Sequence, residues 1–190
     1  MNKCPWGFSS VEMENYHDTE WGVPVHDERQ LFEFLCLEGA QAGLSWETVL
    51  KKREGYRQAF DDFDVHKVAQ YSEQKLQSLL INPEIIRNKL KIKSVVTNAL
   101  AVIKIQKEQG SFDQYIWSFV KGKTIQSPWQ NMAEIPATSK ESELMSRSLK
   151  KQGFKFVGPT ICYAYMQATG MVNDHLITCH RYKEILTLNS

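Results

Sequence analysis

Long apolar runs are missing from this 190-residue chain. Its most apolar stretch, IKSVVTNALAVIKI, is broken by lysines and falls well short of the roughly 20 residues a membrane span needs, so no membrane-embedded segment is expected. The opening MNKCPWGFSS has no apolar signal-peptide core, which points to a cytoplasmic protein. Cysteine is scarce: Cys4, Cys36, Cys162 and Cys179 are the four present. In a reducing compartment so few thiols exclude a disulfide scaffold, and each is either a small buried residue or a metal ligand. Cys36 and Cys162 lie inside helical patterns and are expected in the core. An excess of charge is missing as well, since the formal net charge is +1, and a nucleic-acid argument must rest on local patches. Repeats and low-complexity tracts are absent. With 42% hydrophobic and 24% charged residues, the chain reads as a single domain over residues 1–190, long enough to bury roughly 70% of its unfolded surface.

Sustained period-two alternation is also lacking, while helical patterns recur throughout, so the fold class is all-α. DERQLFEFLCLEGAQAG opens with Asp27 and Gln30 as a capping box and carries Leu31, Phe34, Leu35 and Ala42 on one stripe. Ser45 caps a helix through WETVLKKREGYRQAF, and Asp64 and Ser72 start two shorter ones. A long helix after Pro83 places Ile85, Ile92, Val96, Ala99 and Ile103 on a face and ends at Gly110. Ser111 and Gln114 open the aromatic segment SFDQYIWSFV. The loop that follows is long but holds Trp129, which is expected to pack. Thr138 and Glu141 form a further capping box; Gly153 ends that helix, and Pro159 begins the next, which runs to Gly170. Two helices joined by a glycine-bounded hairpin result, over about residues 138–170.

What the chain does contain is three concentrations of chemistry. In NDHLITCH, His175 and Cys179 stand four apart, a spacing that puts both on one face of a helix. Cys4 and His17, near the other end, would complete a Cys₂His₂ set suited to tetrahedral zinc. Such a set is closed to water, so the metal would be structural, clipping residues of about 1–21 to 171–190. The alternative is a core cysteine with surface histidines. Glu38 is the second feature, a carboxylate on an otherwise apolar stripe; burying it costs several kcal/mol unless it is paired. Either it reaches solvent at the stripe's edge or it belongs to a pocket, where Trp46 and a tyrosine would stack on a flat heteroaromatic ring. The third is the hairpin, whose glycine turn leads into a helix N-terminus suited to phosphate, next to the basic run RSLKKQGFK. A second basic run, RNKLKIK, lies in the first turns of the expected long helix, and for both runs a solvated helix face is the competing interpretation.

The segments YHDTEWG, LCLEGAQAGLSW, VLKKRE, WSFV, KKQGFKFVGPTICYAYMQATG and VNDH, in that order, resemble DNA-3-methyladenine glycosylase I, the zinc-containing branch of the helix-hairpin-helix DNA glycosylases. The resemblance covers nearly the whole chain. It implies a helix-hairpin-helix glycosylase architecture, with one structural zinc on Cys4, His17, His175 and Cys179. It implies a base pocket of Tyr16, Trp21, Glu38 and Trp46, with Glu38 as the catalytic residue. Gln41 and Leu44 would fill the gap left by a flipped nucleotide, and Lys151, Lys155, Gly158 and Thr160 would meet the DNA backbone. The partner implied is double-stranded alkylated DNA, the product is 3-methyladenine with an abasic site left behind, and a monomer is expected.

One position departs from the wider superfamily, whose post-hairpin pattern resembles V-D-x-H-V. Here the stretch is VNDHL, with Asn173 in the aspartate's place. Adenine methylated at N3 is cationic and leaves as a neutral base, so its glycosidic bond is already weakened and little acid-base help is required. Discrimination becomes the main task, which Glu38 can serve electrostatically once the nucleotide has left the stack. No lysine nucleophile is evident after the hairpin, so strand cleavage is not expected. Two rivals remain: a non-enzymatic DNA-binding module, and a zinc hydrolase with Glu38 as general base at an open metal site.

Overall fold

Hydroxyl and carboxylate side chains punctuate the chain into helices, as the computed structural model, which describes residues 2–188, makes plain. Ser10 caps α1 (Val11–Thr19), and Asp27 caps α2 (Glu28–Gln41) by accepting from the Gln30 backbone at 2.9 Å. Ser45 caps α3 (Trp46–Leu50), but the expected continuous helix breaks at Lys51–Lys52, and α4 (Arg53–Ala59) restarts after it without a side-chain cap. Asp64 and Ser72 cap α5 (Val65–Val68) and α6 (Glu73–Leu80).

The long helix is α7 (Lys89–Gln109), and it begins later than the position of Pro83 suggested. Asn88 holds the Leu90 and Lys91 backbone N–H groups, so Ile85 is buried ahead of the helix and not on its face. The buried face is Ile92, Val95, Ala99 and Val102, one position out of register with Val96 and Ile103. Ser111 then caps α8 (Phe112–Trp117).

The hairpin helices are α9 (Lys140–Lys151) and α10 (Pro159–Ala168), and α11 (His180–Leu188) closes the described chain. The capping box of α9 uses Ser139 and Ser142, not Thr138 and Glu141: the Ser142 hydroxyl is buried and bonds back to Ser139. Gly153 has a φ of +97° and Pro159 stands at the first turn of α10 after Gly158, as expected from sequence.

Strand structure among the described residues is one parallel pair, β1 (Ile125–Gln126) with β2 (Val172–Asn173). The pair is too short to read from sequence. It ties the long loop to the segment that follows the hairpin. Trp129 packs as expected, its indole N–H reaching Asp174 at 2.9 Å. No helix among the described residues is long and apolar enough to cross a membrane.

Residues 31–40 of α2 are buried without interruption, because α3, α7, α8 and α10 pack around this helix. The buried apolar side chains form one continuous cluster that includes both cysteine-bearing ends of the chain. Gly170 makes the return possible: its φ is +72°, and a Cβ there would lie 2.4 Å from the Val23 backbone.

Candidate functional site

Burial of α2 on every side decides the first open question. Glu38 does not reach solvent; it is 4% exposed, and its Oε2 has no hydrogen-bond partner. It faces a cavity of about 320 Å³ walled by Trp6, Tyr16, Trp21 and Trp46, with Met13, Gln41, Met132, Ile135, Ala164 and Gln167 completing the lining. No lysine, arginine or histidine is among these residues. Loss of hydration without a compensating charge pushes the Glu38 carboxyl up to about 8. Tyr16 is pushed well above its ordinary value, first by burial and then by the Glu38 charge.

The cavity walls are aromatic and mutually braced. Tyr16 lies 5.4 Å from Trp46, and Trp6 packs edge-on to Trp21 at 4.9 Å. The Trp46 indole N–H is buried without an acceptor. Leaving both a carboxylate oxygen and an indole N–H unpaired is costly, so the cavity is built for a flat ligand that stacks between rings and satisfies polar groups at its edge.

Behind this wall, Cys4, His17, His175 and Cys179 come together with their ligand atoms all within 4.8 Å of one another, every one buried. The chain's two ends supply two residues each, as the sequence suggested. Both imidazoles present one nitrogen inward and donate with the other. His17 Nδ1 donates to Asp18 at 2.7 Å, leaving Nε2 3.5 Å from the Cys179 sulfur. His175 Nε2 donates to the Trp21 carbonyl at 2.9 Å, leaving Nδ1 3.6 Å from Cys179 and 3.7 Å from Cys4.

The interaction between the two sulfurs holds the Cys4 thiol up and the Cys179 thiol down, and a cation between them would keep both as thiolates. Two unprotonated nitrogens and two sulfurs converging on one point fit a metal ion with four protein ligands. Gly7 has to be glycine for this packing: a Cβ would stand 2.9 Å from the His17 ring. His180 takes its place in the outer ring of contacts, with Nε2 3.6 Å from the Asp18 carboxylate that holds His17.

None of the four ligands lines the cavity. Trp6 and Trp21 stand between, Trp6 edge-on to His17 at 5.0 Å and Trp21 edge-on to His175 at 4.6 Å. The metal set therefore shapes the wall without reaching its contents.

A shallower groove of about 240 Å³ opens beside the cavity and shares Glu38, Gln41 and Ala164 with it. Leu44 and Thr160 also line it. Leu44 is 42% exposed at the tip of a turn in which Gly43 has a φ of +78°. The structure thus brings Gln41, Leu44 and Thr160 to the mouth of the cavity, with Gly158 as the N-cap of α10 nearby in the chain.

Lys151 and Lys155 are exposed on the hairpin and line neither the cavity nor the groove beside it. Lys155 shares a third groove with Lys93, so the two basic runs converge. The Asn98 side chain holds the Lys155 backbone from both sides, accepting from its N–H at 2.8 Å and donating to its carbonyl at 3.1 Å.

Residues 6–182 match the family model for methyladenine glycosylase. The chain belongs to the methyladenine glycosylase family. It is 46% identical to DNA-3-methyladenine glycosylase 1 of Escherichia coli (strain K12) over 182 residues, 96% of this chain and 97% of that one. A crystal structure of 3-methyladenine DNA glycosylase I superimposes with a TM-score of 0.92 at 46% identity, covering 94% of this chain and 98% of that one. A structure addressing 3-methyladenine recognition by the Staphylococcus aureus 3-methyladenine DNA glycosylase I gives 0.92 at 37% identity, covering 95% and 96%.

Several cavity residues carry little or no mark in the sequence. Trp6 has a signal, standing two residues from Cys4, so a metal at Cys4 has to bring it to the same place. Met13, Met132, Ile135, Ala164 and Gln167 carry no pattern that separates them from core or loop positions. Asn173, read as the counterpart of a catalytic aspartate, bonds Gln126 at 2.8 Å and the Tyr182 carbonyl at 3.2 Å and does not line the cavity.

Proposed function

We propose that this protein is a base-excision glycosylase that takes a flipped 3-methyladenine nucleotide from alkylated double-stranded DNA and hydrolyses its N-glycosidic bond, leaving an abasic site. The observation that carries this reading is an unpartnered, buried carboxylate in an aromatic cavity that no cationic side chain lines. Glu38 is mostly protonated near neutral pH while the cavity holds no cation. A purine made cationic by N3-methylation supplies the missing charge and draws Glu38 toward its ionised form. An unmodified adenine supplies none. Recognition and catalysis then share one interaction, because the positive charge that Glu38 favours is also what makes the base a good leaving group.

Tyr16, Trp21 and Trp46 enclose the base, the Leu44 turn with Gln41 occupies the space it vacates, and Lys151, Lys155, Gly158 and Thr160 meet the phosphate backbone. The ion at Cys4, His17, His175 and Cys179 is zinc in this account, one per chain, and its contribution is to fold and fix the segments carrying Tyr16 and Trp21. One glycosylase domain acts as a cytoplasmic monomer. A zinc-hydrolase reading is weakened by four protein ligands and by two tryptophans standing between them and Glu38. No lysine lines the cavity, which argues against imine formation and strand cleavage.

Incubation with methylated duplex DNA followed by chromatography of the released bases tests this directly. Free 3-methyladenine should accumulate, with strand breaks appearing after alkali. DNA bound without any base released would leave the non-enzymatic binding module standing.

A further inference from the structure

Asp174 is a fully buried carboxylate that the reading above leaves without a task. It accepts three hydrogen bonds: from the Trp129 indole at 2.9 Å, from the Tyr163 hydroxyl at 2.7 Å and from the Gln167 amide nitrogen at 2.8 Å. The bond from Gln167 bears on the cavity. A glutamine amide has a donating end and an accepting end, and its orientation is ordinarily ambiguous. Beside a carboxylate that receives donors from three sides, the nitrogen end must face Asp174. Gln167 nevertheless lines the cavity, and its side-chain carbonyl oxygen accepts no hydrogen bond among the described residues.

The cavity therefore offers two acceptors, Glu38 on α2 and the Gln167 carbonyl on α10, and these helices pack against each other. We propose that Gln167 is a specificity-determining residue which accepts a hydrogen bond from the exocyclic amine of an N3-methylated adenine, and that Asp174 is the positioning residue that keeps the Gln167 carbonyl toward the base. The inference rests on the glycosylase reading. An adenine amine carries two hydrogens, one for each acceptor. An N3-methylated guanine presents a carbonyl oxygen at the corresponding ring position, where it would oppose a fixed carbonyl and leave both oxygens unpaired. The Glu38 charge cannot make this distinction, since both methylated purines are cationic. Gln167 can, because its polarity at the cavity wall is set by Asp174.

The test compares release of 3-methyladenine and 3-methylguanine from the same methylated duplex under single-turnover conditions. Gln167→Met keeps volume and removes the acceptor, and 3-methyladenine release should fall roughly 5- to 10-fold while 3-methylguanine release holds or rises. Asp174→Asn frees the amide to turn, and the preference should narrow in the same direction. Metal content is measured for that variant because His175 is adjacent, and Tyr163→Phe, which removes one of the three donors while leaving the Gln167 bond in place, should retain the preference. An unchanged ratio in both Gln167→Met and Asp174→Asn, whether the two rates fall together or not at all, overturns the assignment. Failure of the wild-type protein to release 3-methyladenine would instead remove the glycosylase reading, and this inference with it.

Discussion

The His175 imidazole donates to the backbone carbonyl of Trp21 at 2.9 Å, while its other nitrogen faces the Cys4 and Cys179 sulfurs. One residue thus connects the candidate metal set to the cavity wall. Cys179 belongs to the same set, so on the proposed zinc reading Cys179→Ser should lower bound metal and the melting temperature together, by at least about 5 °C for a chain of this size. Binding of free 3-methyladenine should weaken in the same variant. Elemental analysis with thermal melting checks the first claim, and a full metal complement with an unchanged melting curve would contradict it.

The Asn98 side chain clamps the Lys155 backbone, with Lys93 alongside, and on the proposed reading this part of the hairpin meets phosphate. Lys155→Glu is expected to weaken binding to damaged and undamaged duplexes alike. The dependence of log K on log salt should become shallower by about 0.9 for each phosphate that the variant no longer neutralises. Titration across a salt series reads this out, and an unaltered slope would move the phosphate site off the hairpin.

The second basic run behaves differently from its composition. Lys91 is folded inward, where its ammonium donates to the Ala40 and Ala42 carbonyls at 2.7 Å each, and burial lowers its pKa. It caps the C-terminus of the helix that carries Glu38 and anchors the turn that presents Leu44. Lys91→Met should slow excision from duplex DNA roughly tenfold while leaving free-base binding within a factor of about two. Lys91→Arg should recover part of the loss. Equal damage to excision and free-base binding would mean that Lys91 supports the cavity and not the turn.

Much of this arrangement was legible in the sequence, and the reasons are local. Helix starts were readable because Asp27-type and Ser45-type caps act within three residues of themselves, whereas the Ser10 cap and the helix after it were not read. Glu38 and the Cys and His pairs were readable because each violates or completes a simple pattern. Lys91 was not, since whether a lysine faces solvent or a helix end depends on what packs opposite, here α2. The break at Lys51–Lys52 and the β1–β2 pair are likewise tertiary effects. Gln167 is the extreme case: its meaning comes from Asp174, seven residues on and across a turn, and from a cavity wall made by other helices.

Glu38 should also mark the protein's stability. Its folded pKa of about 8 lies above the value of an exposed carboxyl, so the folded state holds a proton that the unfolded state has lost between about pH 4.5 and pH 8. Stability from this group is intact below that window and declines by several kcal/mol as pH rises through it. Glu38→Gln, which cannot ionise, should melt above the wild-type protein at pH 8.5, with the difference shrinking toward pH 5. Parallel melting curves for the two proteins across this range would show that Glu38 is not buried without a counter-charge.

The most direct measurement is a comparison, in Glu38→Gln, of single-turnover excision from methylated duplex DNA with calorimetric binding of free 3-methyladenine. If Glu38 reads the base, its loss removes a charge-assisted hydrogen bond of about 1.5 to 3 kcal/mol, so excision should fall roughly 10- to 150-fold without vanishing, and binding of the free base should weaken with it. If binding is untouched while excision collapses, Glu38 activates water and the recognition account is contradicted.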